Sequence, residues 1–385
     1  MIFSNIRYFL SLIDWRSFRP TSKNRKIQSA QTIEDLRIIA KKNTPQVVYD
    51  YVEGGSSQEI SYKRSLEAFK RVEFKTRSLK DVSKIDTSCE ILGKKMDLPI
   101  IFAPTGYTRM MHVAGEPAVA KAASSRDLIY ILSTMGTTSP KELANIVPEV
   151  RRWFQLYILR DRSKTLDLIT EAAENGYEAL VITIDTPVTG LKIRDFKNGL
   201  TIPPKINAKS FLTIIRKPLW WIALVKGKRL ELSISRGSTK SLSDLGSQLF
   251  SPAVTTQEIK WIRRIWKGPI IIKGVQNLED AKKLSKLNIN GIVISNHGGR
   301  QLDRSSVPLE ILEQIVNSVG RKVEVYIDGG ILNGQDAFAA LALGANAVLI
   351  GRSYLYGIMA GGEAGVKKAV DILERDLINT MALLS

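Results

Sequence analysis

The chain has 385 residues, 44% of them apolar, one cysteine, two histidines and a formal charge of +18. Cys89 alone excludes an intramolecular disulfide and a cysteine-rich metal site, which fits a reducing cytoplasmic compartment, and His112 with His297 is too little for a His-based zinc centre. The basic excess suits an anionic partner such as acidic lipid, nucleic acid or an anionic cofactor, and no apolar run reaches the roughly 18 residues of a membrane span.

Residues 1–30 form a basic, apolar leader whose first 20 residues are interrupted by Arg7, Asp14 and Arg16 and carry no small-residue cleavage site, so they read as a leader helix rather than a signal peptide. A helical segment over 31–70 follows. Thr32 can cap, Asp35 lies three residues on, and Leu36, Ile39 and Ala40 share a face. Pro45 starts a second helix, stopped by Gly54-Gly55.

Over 71–385 short apolar runs alternate with helical stretches. The runs are 98–103, 129–133, 153–158, 179–184, 269–272, 291–294, 323–327 and 347–350, almost continuously apolar, as strands buried on both faces must be. Eight alternations predict a (β/α)₈ TIM barrel rather than an open sheet. In such a barrel the active residues follow the strand ends, and Thr105, Ser133, Gln155, Asp185, Lys273, His297, Asp328 and Arg352 cluster there. An insertion over 196–257, after the fourth strand, is too long for a loop and helix. It mixes Phe211, Trp220, Trp221 and Leu224 with Lys209, Arg216, Lys217, Lys226, Lys228 and Arg229, the composition of an interfacial anchor.

The sharpest motif ends the sixth run: Ser295-Asn296-His297-Gly298-Gly299-Arg300-Gln301-Leu302-Asp303. It sets a base and a carboxylate-binding fork over one spot. With it stand Tyr49-Asp50-Tyr51, Ala103-Pro104-Thr105-Gly106, Leu132-Ser133-Thr134, Phe154-Gln155-Leu156-Tyr157, Thr183-Ile184-Asp185-Thr186-Pro187, Ile272-Lys273-Gly274-Val275, Asp328-Gly329-Gly330 and Ile350-Gly351-Arg352. In this order they resemble the FMN-dependent α-hydroxy-acid dehydrogenase family, which includes glycolate oxidase and the lactate and mandelate dehydrogenases. Stretches such as PTGYTRMMH look most like its bacterial respiratory L-lactate dehydrogenases.

The resemblance implies an enzyme that binds FMN, oxidises an L-2-hydroxy acid (L-lactate to pyruvate) and passes the electrons to a quinone. His297 would accept the C2-hydroxyl proton as hydride leaves C2, or take the C2 proton itself, and Asp185 would stabilise the imidazolium. Arg300, Tyr51 and Lys192 would hold the substrate carboxylate, and Tyr157 the C2 oxygen. Pro104, Thr105, Gly106, Ser133, Gln155, Thr183, Lys273, Ser295 and Asp328 would line the flavin side, with Gly329, Gly330, Gly351 and Arg352 at its phosphate. No metal is expected; Gly106 and Met135 would line the substrate pocket.

Two departures stand out. Seven residues past Asp185, where the family has a second carboxylate-binding arginine, the chain has Lys192, with Arg194 as an uncertain substitute. Four residues past Asp328, at a common phosphate arginine, it has Leu332. Alternative readings are a soluble oxidase using dioxygen, a mandelate-type dehydrogenase, and a membrane-associated FMN binder weakened in turnover. A nucleic-acid binder is disfavoured by scattered basic residues and the lack of a recognisable module. A homo-oligomer is expected, cytoplasmic or peripheral on the inner face of the cell membrane.

Overall fold

The computed structural model describes residues 23–199, 211, 214–235 and 251–384. The first 22 leader residues and parts of the insertion (200–210, 212–213 and 236–250) lie outside the described residues. Eight parallel strands close into a barrel: β3 (Ile100–Phe102), β4 (Tyr130–Ser133), β5 (Arg152–Leu156), β6 (Ala179–Thr183), β7 (Ile270–Val275), β8 (Gly291–Ile294), β9 (Glu324–Asp328) and β10 (Ala347–Ile350). Closure runs from β10 back to β3, with Val348, Leu349 and Ile350 opposite Ile100, Ile101 and Phe102. The apolar runs are buried as expected, and side chains such as Trp153 and Tyr326 fill the interior edge-to-face, their centroids 6.0 Å apart.

Helix α1 (Lys23–Gln28) leads into α2 (Ile33–Asn43), α3 (Gln46–Glu53) and α4 (Ile60–Lys70). Thr32 and Asp35 form the reciprocal cap that their spacing suggested. α2 buries Ile33, Leu36 and Ala40 beside the C-terminal helix (Arg352–Leu384), each large apolar side chain contributing about 1.5–3 kcal/mol. α3 runs two residues beyond Tyr51 before Gly54 caps it.

An antiparallel hairpin, β1 (Cys89–Ile91) and β2 (Lys94–Met96), precedes the barrel and was not visible in the periodicity. Its turn places Leu92 and Gly93 at φ 51° and 73°, the left-handed pair a tight hairpin needs. The Leu92 N–H donates to Glu324 at the start of β9, so the hairpin sits at the N-terminal end of the barrel, away from the motif loops.

Candidate functional site

The C-terminal ends of the strands surround a cavity of about 700 Å³. Tyr51, Pro104, Thr105, Gly106, Ser133, Tyr157, Lys192, Lys273, His297, Arg300, Asp328, Gly329, Gly330, Gly351 and Arg352 all line it, as do Met135 and Leu332. Gln155, Thr183, Asp185 and Ser295 lie directly behind, bonded to lining residues or to one another. The structure thus gathers every residue singled out for the site from segments up to 301 positions apart (Tyr51 to Arg352).

His297 sits at φ 59° in the turn after β8. Its backbone N–H donates to Ser295 Oγ at 3.0 Å, which holds the turn to the strand end. Its Nδ1 lies 3.1 and 3.2 Å from the two Asp185 oxygens. The Asp185 side chain has no exposed surface. Burial alone would raise its carboxyl, but His297 and then Lys273 outweigh that and hold it below the usual carboxylate range. A local irregularity makes room for it. β7 shifts register against β8 between Lys273 and Val275, and Gly274 there has φ 103°. A Cβ on Gly274 would stand 2.6 Å from Asp185 Cβ, so only glycine lets this carboxylate sit beside the strand.

Two polar chains run beneath the cavity. Ser133 Oγ donates to Gln155 Oε1 at 3.0 Å, and Gln155 Nε2 donates to Thr183 at 3.0 Å. Lys273 Nζ donates to Ser295 at 2.8 Å and pairs with Asp328 at 2.7 Å, both charges nearly buried. The other Asp328 oxygen is buried without a hydrogen-bond partner. That orphaned acceptor on the cavity wall calls for a donor from a ligand. The space in front of Gly351 is open, with no atom nearer than Ala103 Cβ at 4.0 Å from where its own Cβ would stand. A polyhydroxylated chain ending in a phosphate fits this wall, with hydroxyls for Asp328 and exposed backbone for the anion.

Elsewhere along the lining Tyr51 lies against two cations, the Arg300 guanidinium 4.9 Å and Lys192 Nζ 5.9 Å from its ring centroid. Arg300 Nη1 is anchored on the carbonyls of Tyr51 and Gly54 at 2.6 and 2.8 Å. Burial, and then Arg300, push Lys192 down to about 8. Burial also raises Asp195, and burial, then Asp185, raises Tyr157, so the phenol stays protonated. Arg194 points elsewhere: it meets Glu59 at 2.5 Å and Asp50 at 3.7 Å. Arg352 differs from the simple expectation as well. Its Nε, Nη1 and Nη2 donate to the carbonyls of Val52, Gly298 and Gly54, each at 2.9 Å, and it stacks 4.2 Å from the Tyr62 ring centroid.

Sequence reasoning passed over Gly274, Gln301, Asp195 and Glu59. Gly274 lay inside the quoted Ile272-Lys273-Gly274-Val275, and a glycine just past an apolar strand run was the available signal for it. Gln301 lay inside the quoted motif. Its Oε1 accepts from Gly190 N–H at 2.9 Å, and its Nε2 donates to the Asp185 carbonyl at 3.2 Å, joining the two motif loops.

This barrel, with its paired imidazole and carboxylate beside a cationic wall, defines a class: an FMN-dependent 2-hydroxy-acid dehydrogenase or oxidase. The family model for FMN-dependent dehydrogenases matches residues 40–385, and the chain belongs to that family. A Mycobacterium tuberculosis protein, named provisionally an L-lactate dehydrogenase, is 41% identical over 94% of this chain and 88% of its own. Human 2-hydroxyacid oxidase 1 is 36% identical over 91% and 92%. Among solved structures, the monotopic membrane protein (S)-mandelate dehydrogenase superposes with a TM-score of 0.89 at 35% identity, covering 93% of this chain and 96% of that one.

Proposed function

We propose that this protein oxidises L-lactate to pyruvate and hands the electrons to a quinone at an anionic membrane surface. The observation that carries the chemistry is the contact of the cavity-lining His297 with the buried Asp185, in the same cavity as the two cations against Tyr51. Arg300, Lys192 and the Tyr51 hydroxyl take the substrate carboxylate, which points C2 toward His297. The protonated Tyr157 donates to the C2 oxygen. His297 accepts a proton, from the C2 hydroxyl or from C2 itself, while Asp185 holds Nδ1 and offsets the positive charge that forms. FMN, when bound, supplies the acceptor for the two electrons. Ser133, Gln155, Thr183, Lys273 and Ser295, with Pro104, Thr105 and Gly106, form its ring side. The buried Lys273 cation favours negative charge there. Asp328 takes the ribityl hydroxyls, and Gly329, Gly330, Gly351 and Arg352 take the phosphate. With Leu332 in place of an arginine and Arg352 tied to three carbonyls, backbone donors carry more of the phosphate than a two-arginine site would need.

Helix α10 (Pro218–Lys226) supports the membrane reading, counting α5 (Thr108–Met111), α6 (Gly115–Ser124), α7 (Pro140–Ile146), α8 (Arg162–Glu174) and α9 (Ile193–Asn198) before it. Leu219 and Val225 are 80% and 74% exposed, and Trp221 and Ile222 are also exposed, beside Lys217, Lys226, Lys228 and Arg229. Among the described residues no helix is long and apolar enough to cross a membrane. A peripheral position on the inner face of the cell membrane, as a homo-oligomer, completes the proposal. The test is spectral. L-lactate added under argon should bleach the flavin absorbance of the purified protein, and a quinone analogue should restore it faster than dioxygen does. Bleaching by mandelate but not lactate would move the substrate, and faster recovery in air would make the protein an oxidase.

A further inference from the structure

Lys192 caps the start of α9, a six-residue helix with no buried residue of its own. Such a helix cannot hold a substrate cation in place by packing, so its position has to come from specific contacts. They come from the helical segment that carries Tyr51. The Ser57 N–H donates to the Leu191 carbonyl at 2.7 Å, one residue before Lys192. Two residues after it, Arg194 reaches Glu59 Oε2 at 2.5 Å and Asp50 at 3.7 Å. At the far end Asn198 Nδ2 donates to the second Asp50 oxygen at 2.8 Å. Glu59 is 9% exposed and is itself fixed, since its Oε1 accepts from the Gly55 N–H at 3.1 Å. Glu59 holds its backbone at φ 63°, a conformation rare outside glycine that the surrounding bonds sustain.

We infer that Arg194 is a positioning residue, which through Glu59 and Asp50 clamps α9 so that Lys192 stays over the Tyr51 ring as the second cation of the substrate site. The inference rests on the reading of Lys192 as a carboxylate ligand. It assigns Arg194 a role different from that of a substituted carboxylate arginine: its charge is spent on two protein carboxylates, and only Lys192 faces the cavity. A clamp of this kind governs substrate affinity more than the chemical step, because His297 and Tyr157 lie on other loops and Asp185, seven residues before Lys192 on the same loop, is held separately by His297 and Gln301.

The experiment compares Arg194→Ala, Arg194→Lys, Glu59→Gln and Lys192→Met in the FMN-loaded enzyme. KM and kcat for L-lactate are measured, together with the Kd of pyruvate by perturbation of the flavin spectrum. Arg194→Ala is expected to raise KM and the pyruvate Kd about tenfold with kcat within about threefold. Arg194→Lys, which keeps a cation for Glu59, is expected to recover most of the loss. Glu59→Gln should weaken binding in the same direction, and combining it with Arg194→Ala should add little. If Arg194 bound substrate directly, Glu59→Gln would leave KM unchanged or lower it, and that result overturns the clamp. An unchanged KM in Arg194→Ala, beside a raised one in Lys192→Met, overturns it too. Unchanged binding in Lys192→Met has its own signature: it removes the ligand reading of Lys192 and the clamp with it.

Discussion

The two-cation wall sets a limit on how the enzyme behaves in alkali. Lys192 is pushed down to about 8 by burial and by Arg300. In the proposed site the protonated amine grips the substrate carboxylate, so raising the pH through this value is expected to remove one of the two charges. One unit above it, about a tenth of the free enzyme keeps the charge, so kcat/KM for L-lactate should fall about tenfold per unit. The fall has a floor, because Arg300 keeps its charge throughout. A charged hydrogen bond contributes roughly 1.5–3 kcal/mol, so the plateau should lie about ten- to a hundredfold below the neutral value. Bound substrate holds the proton on Lys192, which places the limb in kcat/KM and leaves it largely out of kcat. Lys192→Arg should abolish the limb, since a guanidinium keeps its charge past pH 12 or so. Asp195→Asn should move it to lower pH, because Asp195 is the negative group that favours the charged amine. The assay is steady-state oxidation of L-lactate with an artificial acceptor from about pH 6 to 10, a range that spans the lysine's titration. A wild-type profile flat to the top of that range, or a limb that survives in Lys192→Arg, would refute the assignment of this titration to Lys192.

Two further outcomes follow from the geometry. His297→Ala should retain FMN by absorbance yet reduce it roughly four decades more slowly, since base and orientation are lost together, and near-normal reduction in stopped flow would take His297 out of the mechanism. Replacing Leu219 and Trp221 by serine should release the protein from anionic liposomes at low salt in a sedimentation assay. Trp220→Ser should leave binding intact and lower thermal stability, because its indole N–H donates inward to the Met110 carbonyl at 3.2 Å; wild type that stays in the supernatant would sink the membrane reading.

Most of the barrel was legible because its strands are buried on both faces, and a run such as Ile270, Ile271, Ile272 has one reading where helices alternate with it. The short hairpin escaped because its two three-residue strands carry no period, and its turn has leucine where glycine or asparagine is usual. What allows Leu92 that conformation is a bond to Glu324, 232 residues away. The same divide runs through the site. His297, Arg300, Asp185 and Lys273 are readable because their chemistry needs those residue types at strand ends. What aims them is contact between distant segments: the missing Cβ of Gly274 beside Asp185, Gln301 joining the loops of Asp185 and His297, and Glu59 meeting Arg194 across 135 positions.

The tryptophan pair shows why composition alone reaches only part of this. As letters, Trp220 and Trp221 are equivalent members of an aromatic, cationic insertion. In the fold, a single step of about 100° around the helix separates their roles, Trp220 tethered to the segment after β3 and Trp221 turned out with Leu219, Ile222 and Val225. An interfacial helix needs both faces, one that docks on the protein and one that meets lipid. Arg194 and Lys192 divide in the same way: two cations two residues apart, one bonded to protein carboxylates and one lining the cavity. Counting Arg194 with Arg300 and Lys192 would credit the Tyr51 side of the cavity with three cations, whereas of these only Arg300 and Lys192 line it. The alkaline limb of kcat/KM is therefore expected to follow a single lysine, since Arg194 is spent on protein carboxylates and Arg300, which keeps its charge, sets only the floor.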